Sequence, residues 1–187
     1  MKFLNLFVLA LLLAACSSQS IEPNYYLLRP TAELHSRTLV PSEDFTLGDV
    51  KIASYVDQQG LLLETSAGEI RPARQHLWAE PMYESVRTFL ALEISRIKGV
   101  DIFAAKFNKD AIIVDIRIDQ LHGTHDGKAI LAAYWWLREG NKMIASYQYA
   151  ESRTLSRDGY GALADAEKAL LTDLAEKISA SLVKPAS

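Results

Sequence analysis

Apolar residues recur along this chain at two distinct spacings. From Met82 to Ile97 the apolar positions Met82, Val86, Phe89, Leu90, Ile94 and Ile97 fall three or four apart, with Glu84, Arg87, Glu93 and Arg96 on the other side. That period predicts an amphipathic helix, opened near Pro81 as a first-turn proline and closed at Gly99. A second helix is predicted from Tyr160 to Val183, with Leu163, Leu170, Leu171, Leu174, Ile178 and Leu182 in one stripe.

Elsewhere the spacing is two, the period of a strand. Ile112, Val114, Ile116 and Ile118 alternate with Asp115, Arg117 and Asp119 within Ala111 to Gln120. Val50, Ile52 and Val56 mark a half-buried strand between Leu47 and Val56, and Leu61 to Leu63 is a short strand after Gly60. Tyr25 to Leu28 is β-prone and stops at Pro30. Ile130 to Arg138 is apolar on both faces, which places it centrally or under a partner. Glu139-Gly140-Asn141-Lys142 is a two-residue hairpin signal, and Met143, Ala145, Tyr147 and Tyr149 form the apolar face of the returning strand. The order is strands, helix, three strands, helix. It predicts an α+β single domain: a mixed or antiparallel sheet covered by two main amphipathic helices.

The first fifteen residues belong to a different kind of segment. Lys2 precedes a mostly apolar run from Phe3 to Ala15, followed by Leu13-Ala14-Ala15-Cys16. A charged start, an apolar middle and small residues before a cut are the layout of a secretory signal, and the run is too short to span a bilayer. The last four residues resemble a lipobox. The expected cut lies between Ala15 and Cys16, with lipid on Cys16, the only cysteine in the sequence. Acylation accounts for an exported chain with a lone thiol. Residues 16–24 form the lipidated cysteine and a polar tether, SSQSIEPN after the cysteine, which reaches at most about 28 Å when extended. Residues 25–187 are the domain. Ser17 follows the cysteine; in the lipoprotein class that this segment resembles, an Asp there favours the inner membrane, so Ser17 points to the outer membrane, facing the periplasm.

Charge narrows the partners. Of 20 basic side chains one, Lys2, lies in the signal, leaving 19 against 23 acidic, a net −4. No basic run occurs, which argues against nucleic acid and against a polybasic membrane patch. No nucleophile elbow, His-Glu-x-x-His or phosphate loop is present. Glu43 and Asp44 are adjacent in an expected loop and diverge. His122-Gly123-Thr124-His125-Asp126 carries zinc-type donors, but two histidines three apart with no third ligand read as a solvated turn. The expectation is therefore no catalytic residue, no cofactor and no metal. Among the aromatics, Tyr134 and Trp136 are expected in the core and Trp135, on the opposite strand face, is the candidate interface residue.

The lipobox, YYLLRP after the tether, LGDVKIASYVD, HLWAEPMYESVRTFL and YWWL, in that order, resemble the ABC-type transport auxiliary lipoproteins over almost the whole mature chain. The most specific block is Trp78-Ala79-Glu80-Pro81. A departure stands at Leu77, where many relatives carry Arg. The resemblance implies a non-catalytic outer-membrane lipoprotein that caps an intermembrane lipid transport system built around an MCE-domain tunnel protein. It also implies a ring-like homo-oligomer. A structural envelope-assembly lipoprotein and a periplasmic enzyme are the alternatives.

Overall fold

The structure, a computed structural model, describes residues 22–30, 39–103 and 111–183. Among the described residues, seven strands and two helices follow the order β1 (Asn24–Tyr26), β2 (Phe45–Ile52), β3 (Gly60–Glu64), β4 (Ile70–Trp78), α1 (Met82–Lys98), β5 (Ile112–Thr124), β6 (Lys128–Glu139), β7 (Lys142–Thr154) and α2 (Tyr160–Ser181). The strands form one mixed sheet in the order β1-β4-β3-β5-β6-β7. Strand β2 lies parallel to β5 along Ile112 to Ile118, and β3 continues that side at Gly123 and Thr124. The fold is α+β, as the periodicities predict.

Both helices are where the three-to-four spacing places them. Gly99 ends α1 in the left-handed conformation, φ 70°, and its N–H returns to the Ser95 carbonyl at 2.9 Å. Pro81 immediately precedes the first helical residue. The helices pack on each other and against one face of the sheet. Their C-terminal ends are tied by Lys98, whose ammonium donates to the Leu182 carbonyl at 2.8 Å, where a cation satisfies orphan carbonyls. Val86, Leu90 and Ile94 of α1 and Leu171, Leu174 and Ile178 of α2 are fully buried against the sheet's apolar face.

Three details differ from the sequence expectation. Strand β4 carries no clear alternation and contains Pro72, so no strand is expected there. Proline is tolerated because β1 pairs only with His76, Leu77 and Trp78, leaving β4 as the sheet edge at Pro72. Strand β2 ends at Ile52; Val56 is buried in the turn that follows, its N–H bonded to the Ala53 carbonyl at 2.8 Å.

The third difference concerns the aromatics of β6. Trp135 is only 4 % exposed and sits on the helix-covered face with Leu131, Ala133 and Leu137, whereas Tyr134 and Trp136 are half-buried on the other face. The expected assignment is thus reversed, and Trp135 is a core residue within the subunit. The β5 ladder sets that face, with Ile116 opposite Trp135, and a β-bulge brings the apolar face of β7 to the same side. Glu139 faces Lys142 and Arg138 faces Met143, but Leu137 faces Ala145, because Ile144 is an extra residue in β7. Past the bulge, Ala145, Tyr147 and Tyr149 lie opposite Leu137, Trp135 and Ala133.

Close approach demands glycine at position 60, where β3 meets β4. A Cβ there would stand 2.5 Å from the Ala73 carbonyl oxygen, which is backbone and cannot swing away. Gly60→Ala is expected to lower stability by about 1–3 kcal/mol, as overpacking does. Urea unfolding measures it, and an unchanged midpoint would show that the two strands separate freely.

Candidate functional site at the tether junction

The segment that would carry the anchor enters the domain at β1, and the junction is built from the two sequence blocks that precede α1. Strand β1 runs parallel to β4 with Asn24, Tyr25 and Tyr26 opposite His76, Leu77 and Trp78. The Tyr26 carbonyl accepts the Ala79 N–H at 2.8 Å, and the Tyr26 hydroxyl lies 3.0 Å from His76 Nδ1. His76 in turn stacks on Tyr160 at the start of α2, with ring centroids 4.4 Å apart. The three-residue strand β1 is thereby fixed to the sheet and, through the His76 ring, to a helix.

Arg29 closes the junction. Its Nη1 donates to Glu80 Oε2 at 2.7 Å and its Nη2 to Glu80 Oε1, a bidentate pair. Ser85 of α1 donates to the same carboxylate at 3.4 Å. The Arg29 hydrogen bonds hold the Glu80 carboxyl below the usual carboxylate range, and Glu80 raises Arg29 in return. Trp78 beside it is buried and donates its backbone N–H to the Gln59 carbonyl at 2.7 Å. The block Trp78-Ala79-Glu80-Pro81 therefore does four mechanical jobs in sequence: a core anchor, a backbone tie to β1, an ion pair to Arg29 and a helix start. Nothing in the sequence singles out Arg29 as the partner, although it stands inside the YYLLRP block. Leu77 faces Tyr25 and is half-buried.

This geometry gives a testable expectation. Glu80→Gln is expected to speed amide exchange across residues 22–30 while leaving the midpoint of global melting nearly unchanged, because the pair is about 40 % exposed. The swap Arg29→Glu with Glu80→Arg is expected to restore protection. Equal exchange in all three proteins would show that the pair does not hold the junction.

The remaining candidates are dispersed. Cys16 and Ala15 lie outside the described residues. His122 is not in a turn: β5 continues through Thr124, and His122 is buried, Nδ1 3.1 Å from the Gly123 carbonyl and 4.0 Å from Glu64 Oε2. Asp126 in the following turn is engaged by Lys128 and Thr124, whose hydrogen bonds bring its carboxyl down to about 2. Among the described residues no three His, Cys, Asp or Glu side chains converge as a metal set. No described helix is long and apolar enough to cross a membrane. On the face of the sheet away from the helices, Tyr134 and Trp136 stack with centroids 6.5 Å apart, beside an ion pair between Asp115 and Arg138 at 2.6 Å.

The sequence model of the ABC-type transport auxiliary lipoprotein component matches residues 25–179, from β1 almost to the end of α2. The chain belongs to that family. Curated relatives include the intermembrane transport lipoprotein PqiC of Escherichia coli strain K12 and of Shigella flexneri. Each is 26% identical over 156 residues, covering 82% of this chain and 82% of the relative. The fold recurs in a crystal structure of an uncharacterized protein, TM-score 0.73 at 18% identity, covering 87% of this chain and 100% of that one. It recurs also in a protein from Xanthomonas campestris, TM-score 0.63 at 16% identity, covering 87% and 94%.

Proposed function

We propose that this chain, cut before Cys16 and acylated there, is a non-catalytic outer-membrane lipoprotein subunit of an MCE-type intermembrane lipid transport system. It faces the periplasm and docks the tunnel protein at the membrane, working as a homo-oligomeric ring. The observation that carries the reading is the family match over residues 25–179 behind a lipobox. The tether junction supports it in physical terms. Residues 16–24 are too short to let the domain roam, and the Arg29–Glu80 pair stops the tether from lengthening by peeling off β1. A docking subunit needs that fixed height; an enzyme acting on diffusing substrates does not.

Sorting gives the first test. Ser17→Asp is expected to move the acylated protein from outer- to inner-membrane density fractions. Lipid exchange between the membranes should fall with it. Unchanged exchange with the protein held at the inner membrane would contradict a docking role at the outer one.

A further inference from the structure

Beside the bulge in β7 lies an apolar groove of about 540 Å³, bounded by the C-terminal turn of α2 and the β6–β7 hairpin. Trp135, Leu137, Ile144, Tyr147 and Val183 line it, with Lys177 at the side. The bulge matters here because it is what turns Ile144 out of the ladder and leaves it 44% exposed. Met143 and Val183 nearby are more exposed still, at 62% and 69%.

Of the polar side chains in the lining, Trp135 and Ser181 already have partners, whereas the hydroxyl of the exposed Tyr147 has none among the described residues. The Trp135 indole N–H donates to Ser181 Oγ at 2.9 Å, and the Ser181 hydroxyl donates to the Ile178 carbonyl at 2.7 Å. What the groove offers is therefore apolar surface, one tyrosine hydroxyl and one cation: Lys177 has no hydrogen-bond or ion-pair partner among the described residues. An occupant that matches this is long and apolar, asks for no hydrogen bonds along its length and ends in negative charge. The volume is within the range of small-molecule sites.

We propose that this groove binds one acyl chain of an anionic membrane phospholipid, with Lys177 facing the phosphate of its head group. The second chain stays outside. The proposal deepens the transport reading, on which it rests for the supply of lipid, by giving this subunit its own contact with cargo.

The test uses the full mature lipoprotein, inserted by its own anchor into phosphatidylcholine vesicles. A minor fraction of the lipid is phosphatidylglycerol with a photoreactive diazirine in one acyl chain. After irradiation, label is expected on the peptides spanning 143–147 and 177–183. Lys177→Glu and Ile144→Glu, both at the protein surface, are expected to lower that label by about fivefold or more, as loss of a charge match or of apolar fit does. Label near residues 22–30, where the anchor holds the chain to the bilayer, should not change. The same diazirine on phosphatidylcholine should label the groove no better than phosphatidylglycerol labels the Lys177→Glu variant. Label confined to 22–30, or equal groove labelling by the two head groups, overturns the proposal. So does a groove shielded by a second copy, seen as copy-to-copy cross-links through 143–147. Any of these results leaves outer-membrane location and co-purification with a tunnel protein, measured separately, where they stand.

Discussion

Replacing Glu167 with leucine is expected to stabilise this protein, and by more at alkaline than at acidic pH. Glu167 lies in the buried stripe of α2, 1% exposed, and its Oε1 has no hydrogen-bond partner. Burial alone pushes its carboxyl up to about 8. An acid whose folded value lies above its unfolded value binds more protons when folded. Stability is then highest below the unfolded value near 4.5 and falls as pH rises toward 8. At pH 7 the loss is roughly 3 kcal/mol, from about 1.4 kcal/mol per pH unit across that window. Glu167→Leu removes the titration and fills the site with apolar volume. Its melting temperature at pH 8 should rise by on the order of 10 °C over wild type, and the difference should shrink by pH 5. Glu167→Gln should remove the pH dependence but gain less, since a buried amide keeps its unmet hydrogen bonds. Calorimetry at the two pH values decides it. A wild-type curve flat from pH 5 to 8 would mean that Glu167 has a partner in solution.

The second large effect separates neighbouring tryptophans. Trp135→Ala is expected to cost about 3–5 kcal/mol, the range for emptying a buried aromatic site. The ring is stacked on Tyr147 at 5.0 Å, bonded to Ser181 and under the end of α2. Trp136→Ala, on the face without helices, is expected to cost about 1 kcal/mol. Chemical denaturation of the two variants reads the difference directly. The opposite ranking would mean that β6 lies the other way up.

That pair also marks where sequence reasoning stops. Helices α1 and α2, the alternating β5 and the Gly140-Asn141 hairpin are legible because each carries a period or a turn signal of its own. The orientation of β6 is not, since both faces are apolar and a regular hairpin register pairs Tyr134 with Tyr147. The one-residue bulge at Ile144 shifts that register and turns every later partner to the other face. Apolar Ile112 to Ile118 on β5 held the answer, because residues opposed across a ladder share a face: Ile116 stands opposite Trp135. Strand β4 was hidden by Pro72 and by its polar edge. At the tether junction, Glu80 stood out as part of a block, while its partner Arg29, 51 residues earlier, is brought to it only by the parallel pairing of β1 with β4.

The proposed function requires an acylated Cys16 to hold this fold at the outer membrane as part of a transport assembly. Its most direct test is to purify the native protein from solubilised envelopes separated by density, then identify its N-terminus and partners by mass spectrometry. The expected result is a diacylglyceryl-modified, N-acylated Cys16 in outer-membrane fractions, present in several copies together with an MCE-domain protein. An unmodified Cys16, or an acylated monomer with no partner, would contradict it.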